Sequence, residues 1–207
     1  MTSQDLFWTK IAPKYAKSPV ADVPAYEHTL ARTRNYLHAD DSVLEIGCGT
    51  GSTALRLADH VHRIVATDFA QGMIRIASDK AVAAGNENVD FRVADTTLAD
   101  FETDSFDAVL AFNLFHLVPD LEGAMSRTYD VLKPGGYMIS KTVCMGGSWV
   151  IPIVIKSLQF VGKAPFVAMI TPDHLQAAIR WAGFDIVETA DHNKQTRGHF
   201  IVARKPD

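Results

Sequence analysis

The stretch VLEIGCGTGSTALRLA, residues 43–58, places Gly47, Gly49 and Gly51 within five positions, directly after an apolar run built on Val43, Leu44 and Ile46. An apolar run that ends in glycines and gives way to a helical pattern predicts a strand, a tight turn and a helix. Glycine lacks a Cβ and reaches positive φ, so backbone at such a turn can approach a ligand closely. The helix that follows offers unpaired N–H groups at its N-terminus. The spacing is GxGxG, not the GxGxxG of dinucleotide enzymes, and Glu45 stands two residues before the first glycine. The glycines alone do not choose between cofactors.

The rest of the chain continues the same rhythm. SVLEI and HRIVATDF read as strands, and STALRLADHV as a helix between them. AQGMIRIASDKAVAAG is helical, with Met73, Ile74, Ala77 and Ala81 on one face. NVDFRVAD, FDAVLAFNLF and GYMISKTV follow as strands, with the helix LEGAMSRTYDVL before the last of them. This βαβα alternation predicts an α/β fold with a parallel sheet and helices on both faces. Near the C-terminus, TPDHLQAAIRWAG offers Thr171 as N-cap, Pro172 at the first helical position and Gly183 as a stop. FDIVETADHN and GHFIVARKP then read as a hairpin turning around residues 193–197. Residues 3–38 read as two helices split near Ser18–Pro19, an N-terminal cap.

With 207 residues, 47% of them apolar, the chain suits one domain spanning 1–207. Twenty Lys and Arg against 24 Asp and Glu give a net charge of −4, and the basic residues are scattered, which argues against a nucleic-acid partner. Cys48 and Cys144 make neither a disulfide framework nor a zinc pattern, so no metal is expected and a reducing compartment is. The N-terminus lacks the continuous apolar core and cleavage site of a secretory signal, so the cytoplasm is the expected location. The most apolar stretch, residues 148–170, is interrupted by Pro152, Lys156, Lys163 and Pro165, which argues against stable membrane insertion. Residues 144–170, with Trp149, are expected to form a lid with an apolar inner face; the alternatives are a helix completing the core, a homodimer contact or a membrane-surface element.

Two acids extend the glycine signal. Asp68 ends the second strand about 20 residues after the loop, where a carboxylate can accept hydrogen bonds from ribose hydroxyls; its alternative is to cap the helix that begins near Ala70. Asp95 follows the third strand, where it can receive the exocyclic amine of an adenine or serve only its own turn. All three signals fall at the carboxyl edge of one sheet, where ligands of such folds bind.

Taken together, VLEIGCGTGSTALRLA, VATDFAQGMIRIA, VDFRVADTTL, FDAVLAFNLFHLVPD and VLKPGGYMISK resemble the class I S-adenosylmethionine-dependent methyltransferases. The resemblance is to the subgroup that includes ubiquinone and menaquinone-biosynthesis enzymes, and it covers roughly residues 40–142. It implies a Rossmann-like, seven-stranded, mostly parallel sheet whose last strand is antiparallel. It also implies S-adenosyl-L-methionine as cofactor and S-adenosyl-L-homocysteine as product. Carried over by position, Glu45 and the backbone of Gly47, Gly49 and Gly51 line the methionine end. Asp68 holds the ribose, Phe69 and Met73 pack on the adenine, and Asp95 with Thr96 meets its amine. Asn113 lies near the methionine portion. Phe7, Ala12, Tyr15 and Ala16 resemble an element that closes over the cofactor, with Tyr15 near the carboxylate or sulfonium. Met73 and Phe69 as core residues, His116 as a surface histidine and Tyr15 as a packing residue are the structural alternatives.

Methyl transfer in such enzymes is an in-line displacement that depends on alignment, with aromatic faces available to the sulfonium. His116, three residues after Asn113, is the candidate general base for a hydroxyl or amine acceptor, and Tyr15 the second candidate catalytic residue. The expected partner is a small acceptor, apolar or aromatic. A non-catalytic S-adenosylmethionine-binding or activator protein and an NAD-dependent oxidoreductase are the rival readings.

Overall fold

A computed structural model describes residues 3–146, 159, 164–193 and 198–207. Most of the expected 144–170 lid, Trp149 included, lies outside the described residues, as does the turn at 194–197. Two helices, α1 (Ser3–Lys17) and α2 (Val23–Arg34), precede the sheet. β1 (Ser42–Ile46), α3 (Ser52–Leu57), β2 (Arg63–Asp68), α4 (Gln71–Ala84) and β3 (Val89–Val93) form its first half. β4 (Phe106–Phe112), α5 (Leu121–Val131), β5 (Leu132–Val143), α6 (Pro172–Trp181) and the hairpin β6 (Asp185–Asn193)–β7 (Gly198–Arg204) form the second.

The strands lie in the order β3-β2-β1-β4-β5-β7-β6. The first five are parallel, and β7 runs antiparallel to both of its neighbours. The order reverses beside β1, so the loops leaving β1 and β4 diverge and open a crevice at the carboxyl edge.

Alternation within the apolar runs divides the core in two. Leu44 and Ile46 on β1 join Val109, Met138, Met125, Leu175 and Ile179 on the face covered by α5 and α6. Val43 joins Ala108, Leu110 and Ile139 on the other face, with Leu30 of α2, Leu57 of α3 and Ile74 of α4. A strand buried on both faces must be apolar at consecutive positions, which is why SVLEI and FDAVLAF read as runs. Each fully buried leucine or isoleucine contributes about 1.5–3 kcal/mol of transfer free energy.

The helix ends follow local chemistry. Asp22 Oδ1 accepts from Ala25 N at 3.0 Å, Asp120 Oδ1 from Gly123 N at 2.9 Å and Thr171 Oγ1 from His174 N at 3.1 Å, each satisfying a first-turn donor. α1 packs on α4: Ala12 meets Ala70 and Met73, with Trp8 and Ile76 at the margin. The two helices approach so closely at Gly72 that a Cβ there would lie 2.9 Å from the backbone of Thr9. α2 is tied to β6 by Arg32 and by the Tyr36 hydroxyl, both donating to Glu188.

Two elements differ from the sequence expectation. The helix expected over STALRLADHV ends at Leu57 and gives way to a 3₁₀ turn at Ala58–His60. β5 begins at Leu132, where a strand was expected only from Gly136, because Leu132 pairs with Phe106 before the register shifts; Gly135, at φ +78°, carries the irregularity.

Candidate functional site

The glycine loop leaves β1 with Gly47, Gly49 and Gly51 all at positive φ, +67°, +55° and +75°. Three such residues in five positions turn the chain sharply from strand to helix, a path that side chains with a Cβ adopt only at a cost. Space reinforces geometry at two of them. A Cβ on Gly47 would lie 2.6 Å from Leu114 Cδ1, and one on Gly51 2.6 Å from Phe91 Cζ. At Gly49 the nearest atom is Tyr15 Cε1 at 3.8 Å, so this glycine is bare toward the cavity and α1.

The loop is held from outside. Asp68, at the end of β2, accepts from Gly49 N at 3.0 Å and from Ala70 N at 2.9 Å. Cys48 N donates to Thr67 O at 2.8 Å. Lys80 of α4 donates to Thr50 O, Thr50 Oγ1 and Ser52 Oγ, each at 3.0 Å. Lys80 has no signature in a helical pattern of mixed polarity, and sequence reasoning missed it.

Beside the loop lies a cavity of about 350 Å³. Its floor is Glu45, Gly47 and Gly49; Asn113 and Lys141 edge it from β4 and β5, and Tyr15, Tyr26 and Thr29 from the N-terminal helices. Glu45 is 2% exposed, and its Oε2 has no hydrogen-bond partner among the described residues. Burial pushes the Glu45 carboxyl up to about 8, countered by the Ala54 amide it accepts and reinforced by the charge of Asp68. Burial likewise raises the Asp68 carboxyl, against the lowering effect of its two amide donors. Asn113 adopts φ +55°, and its amide donates to Lys141 O at 2.7 Å, locking the end of β4 to that of β5. A non-glycine residue held in the left-handed region at a sheet edge is a frequent companion of ligand sites.

Of the expected site residues, the structure therefore brings Glu45, Gly47, Gly49, Asn113 and Tyr15 to one cavity. Gly51 caps α3 behind it, and Asp68 reaches it through the Gly49 amide. Phe69 and Asp95 line a second hollow of about 370 Å³ on the β3 side, with Thr97 and Leu98. There Asp95 Oδ1 accepts from Thr97 N and Thr97 Oγ1, so the turn claims one of its oxygens. Thr96 is half-buried and lines neither space.

Two expected residues stand elsewhere. Met73 is 2% exposed and packs with Ala12 and Ala70, the core position weighed as its alternative. His116 is not among the residues lining the cavity: it sits in a 3₁₀ turn, Phe115–Leu117, at 9% exposure. Its Nδ1 has no partner among the described residues, and burial pushes the imidazole down to about 4. Lys141, Thr29 and Tyr26, in contrast, line the cavity and were not singled out from the sequence. The available signal was a lysine placed at the carboxyl end of an apolar strand, ISKTV.

Comparison with known proteins gives a consistent outcome. A family model described as a methyltransferase domain matches residues 43–136. The chain is 33% identical over 127 residues to a demethylmenaquinone methyltransferase of Clavibacter sepedonicus, a match covering 61% of this chain and 49% of that protein. It is 26% identical over 167 residues to a ubiquinone biosynthesis O-methyltransferase of Paracidovorax citrulli, covering 77% and 70%. The chain thus spans about half the length of the first of these relatives. In fold it is similar to the crystal structure of the cyclase SpnF, with a TM-score of 0.74 at 21% identity, covering 86% of this chain and 80% of that one.

Proposed function

The chain belongs to the class I S-adenosylmethionine-dependent methyltransferases, related to those of ubiquinone and menaquinone biosynthesis, and from that premise we propose that it transfers a methyl group to a small acceptor with an aromatic or apolar body. The observation that carries the proposal is the unpartnered Glu45 Oε2, buried at the floor of the cavity beside Gly47 and the bare backbone of Gly49. A buried carboxylate oxygen without a donor suits an ammonium, and the methionine end of the cofactor carries one.

Within this reading Glu45, Gly47, Gly49 and Asn113 hold the methionine portion. Asp68 keeps unused lone pairs on both oxygens after accepting Gly49 and Ala70, enough for ribose hydroxyls. Phe69 and Asp95, in the hollow beside β3, receive the adenine. When bound, S-adenosylmethionine supplies a methyl carbon activated by a positively charged sulfur. The protein's part is alignment and exclusion of water, with Tyr15 and Phe112 offering aromatic faces at the cavity wall. Leu30, Val20 and Tyr26 give the same wall an apolar character that supports an aromatic or apolar acceptor. His116 has no part in this reading, since it lines no wall of the cavity and its imidazole stays neutral and weakly basic.

The fold by itself does not choose the reaction, as the likeness to a cyclase makes plain. The test joins calorimetric titration with S-adenosylhomocysteine and NADH to a screen of metabolite extracts for methyl label from S-adenosylmethionine. Binding of S-adenosylhomocysteine without NADH, together with label that disappears in Asp68→Ala, is the expected result. NADH binding alone, or label that survives in Asp68→Ala, would overturn it.

A further inference from the structure

The sheet order separates the cavity into two ends. The acids assigned to the nucleoside stand at the end of β2 and just after β3, the glycine loop leaves β1, and β4 and β5 lie on the opposite side of β1. Whatever the cofactor presents for transfer must be met from the β4–β5 side, where α2 forms the facing wall.

Lys141 occupies that end. It stands near the carboxyl end of β5, paired with Phe112 on β4, and among the described residues that line the cavity it is the one lysine or arginine. Its ammonium donates to Thr29 Oγ1 at 3.0 Å, and the Thr29 hydroxyl in turn donates to Ala25 O at 2.7 Å. Thr29 thereby presents a lone pair to the lysine and fixes its position against α2. An ammonium has three donors, and a single neutral hydroxyl compensates little of its lost hydration. Partial burial accordingly lowers the Lys141 pKa, while the nearby Asp22 opposes that shift. Tyr26, Leu30 and Phe112 in the same lining are uncharged, and the acids are Glu45 on the cavity floor and the nearby Asp22.

We propose that Lys141 is a specificity-determining residue that binds a carboxylate on an acceptor whose remaining body is aromatic or apolar. This rests on the methyltransferase reading and adds the acceptor's charge to it. A half-buried ammonium in a cavity also lined by Tyr26 and Phe112 rewards an anion on a flat apolar frame and discriminates against the neutral analogue, which leaves the lysine with its one neutral partner.

The test uses the whole chain saturated with S-adenosylhomocysteine, probed calorimetrically with para-hydroxybenzoate and its neutral amide. The acid should bind about tenfold or more tightly than the amide, the scale expected for one charge-assisted hydrogen bond. Lys141→Met should erase that difference, Lys141→Arg should retain most of it, and both variants should keep the wild-type affinity for S-adenosylhomocysteine. Equal binding of acid and amide by the wild type, or no binding of either, overturns the proposal without need of any variant. A loss of S-adenosylhomocysteine affinity in Lys141→Met also overturns it, assigning the lysine to the cofactor's own carboxylate. Failure of the wild type to bind S-adenosylhomocysteine at all would instead remove the methyltransferase reading beneath it.

Discussion

Asp68 and Gly49 are joined by a hydrogen bond of 3.0 Å from the loop amide to a carboxylate that also accepts from Ala70 at 2.9 Å. One buried side chain thus fixes both the loop after β1 and the entry to α4. Removing it in Asp68→Ala strands two amides, and each bond to a charged group is worth about 1.5–3 kcal/mol. Urea unfolding should show a loss of about 3–6 kcal/mol, with a smaller loss in Asp68→Asn, which keeps one acceptor oxygen. An unchanged midpoint in Asp68→Ala would mean that these bonds do not hold the loop.

The glycines should differ in their tolerance of alanine. Gly85 sits at φ +62° with nothing within 4 Å of an added Cβ, so Gly85→Ala reports the backbone cost alone, about 1–2 kcal/mol. Gly49→Ala should match it in stability, since its nearest neighbour is 3.8 Å away, while weakening cofactor binding. Gly51→Ala adds a clash with Phe91 at 2.6 Å and Ala77 at 2.8 Å and should be the least stable of the three. Thermal melts of the series would rank them, and equal melting temperatures would contradict the packing argument.

Glu45 makes the unliganded protein sensitive to base. Its folded value of about 8 lies above the ordinary carboxylate value of 4.5, so the folded state holds a proton that the unfolded chain releases. The resulting stability is fully present below pH 4.5 and is lost as pH rises to about 8, a change on the order of a few kcal/mol. Glu45→Gln cannot ionise. The stability difference between variant and wild type should therefore grow in the variant's favour from pH 5 to pH 8, as chemical denaturation at each pH would show.

His116 has the opposite sign. Its imidazole is pushed from 6.5 to about 4, so its contribution is present above pH 6.5 and is lost as pH falls toward 4. His116→Gln should flatten the acid limb of the stability profile. If the limb is unchanged, the histidine is not the buried neutral group described.

The extent to which the site could be read in advance follows from where side chains act. The strand–turn–helix at the glycine loop was legible because three positive-φ glycines in five positions depend on backbone geometry and short sequence separation, which leave a pattern. The β1 and β4 runs were legible because strands buried on both faces leave no polar positions. Lys141 and Thr29 meet across 112 residues, and Lys80 reaches the loop from 30 residues away, so no local spacing signals either contact. His116, three residues after Asn113, is buried in the 3₁₀ turn Phe115–Leu117 and does not line the cavity, a difference of side-chain direction that sequence spacing does not carry. β5 extends back to Leu132, ahead of the strand read over GYMISKTV, because Leu132 finds a pairing partner in Phe106 across a register shift that sequence does not signal.

The contact between Gly72 and Thr9 has a reach beyond its own helix pair. α1 carries Tyr15 at the cavity and Thr9 against α4, with Gly72 N donating to Thr9 Oγ1 at 3.2 Å. The helix is in effect a lever resting on a fulcrum that has no side chain. Any residue larger than glycine at position 72 must lift that lever, and the displacement is delivered two turns further on, at the tyrosine. The aperture of the cavity is therefore set partly by a residue that does not line it.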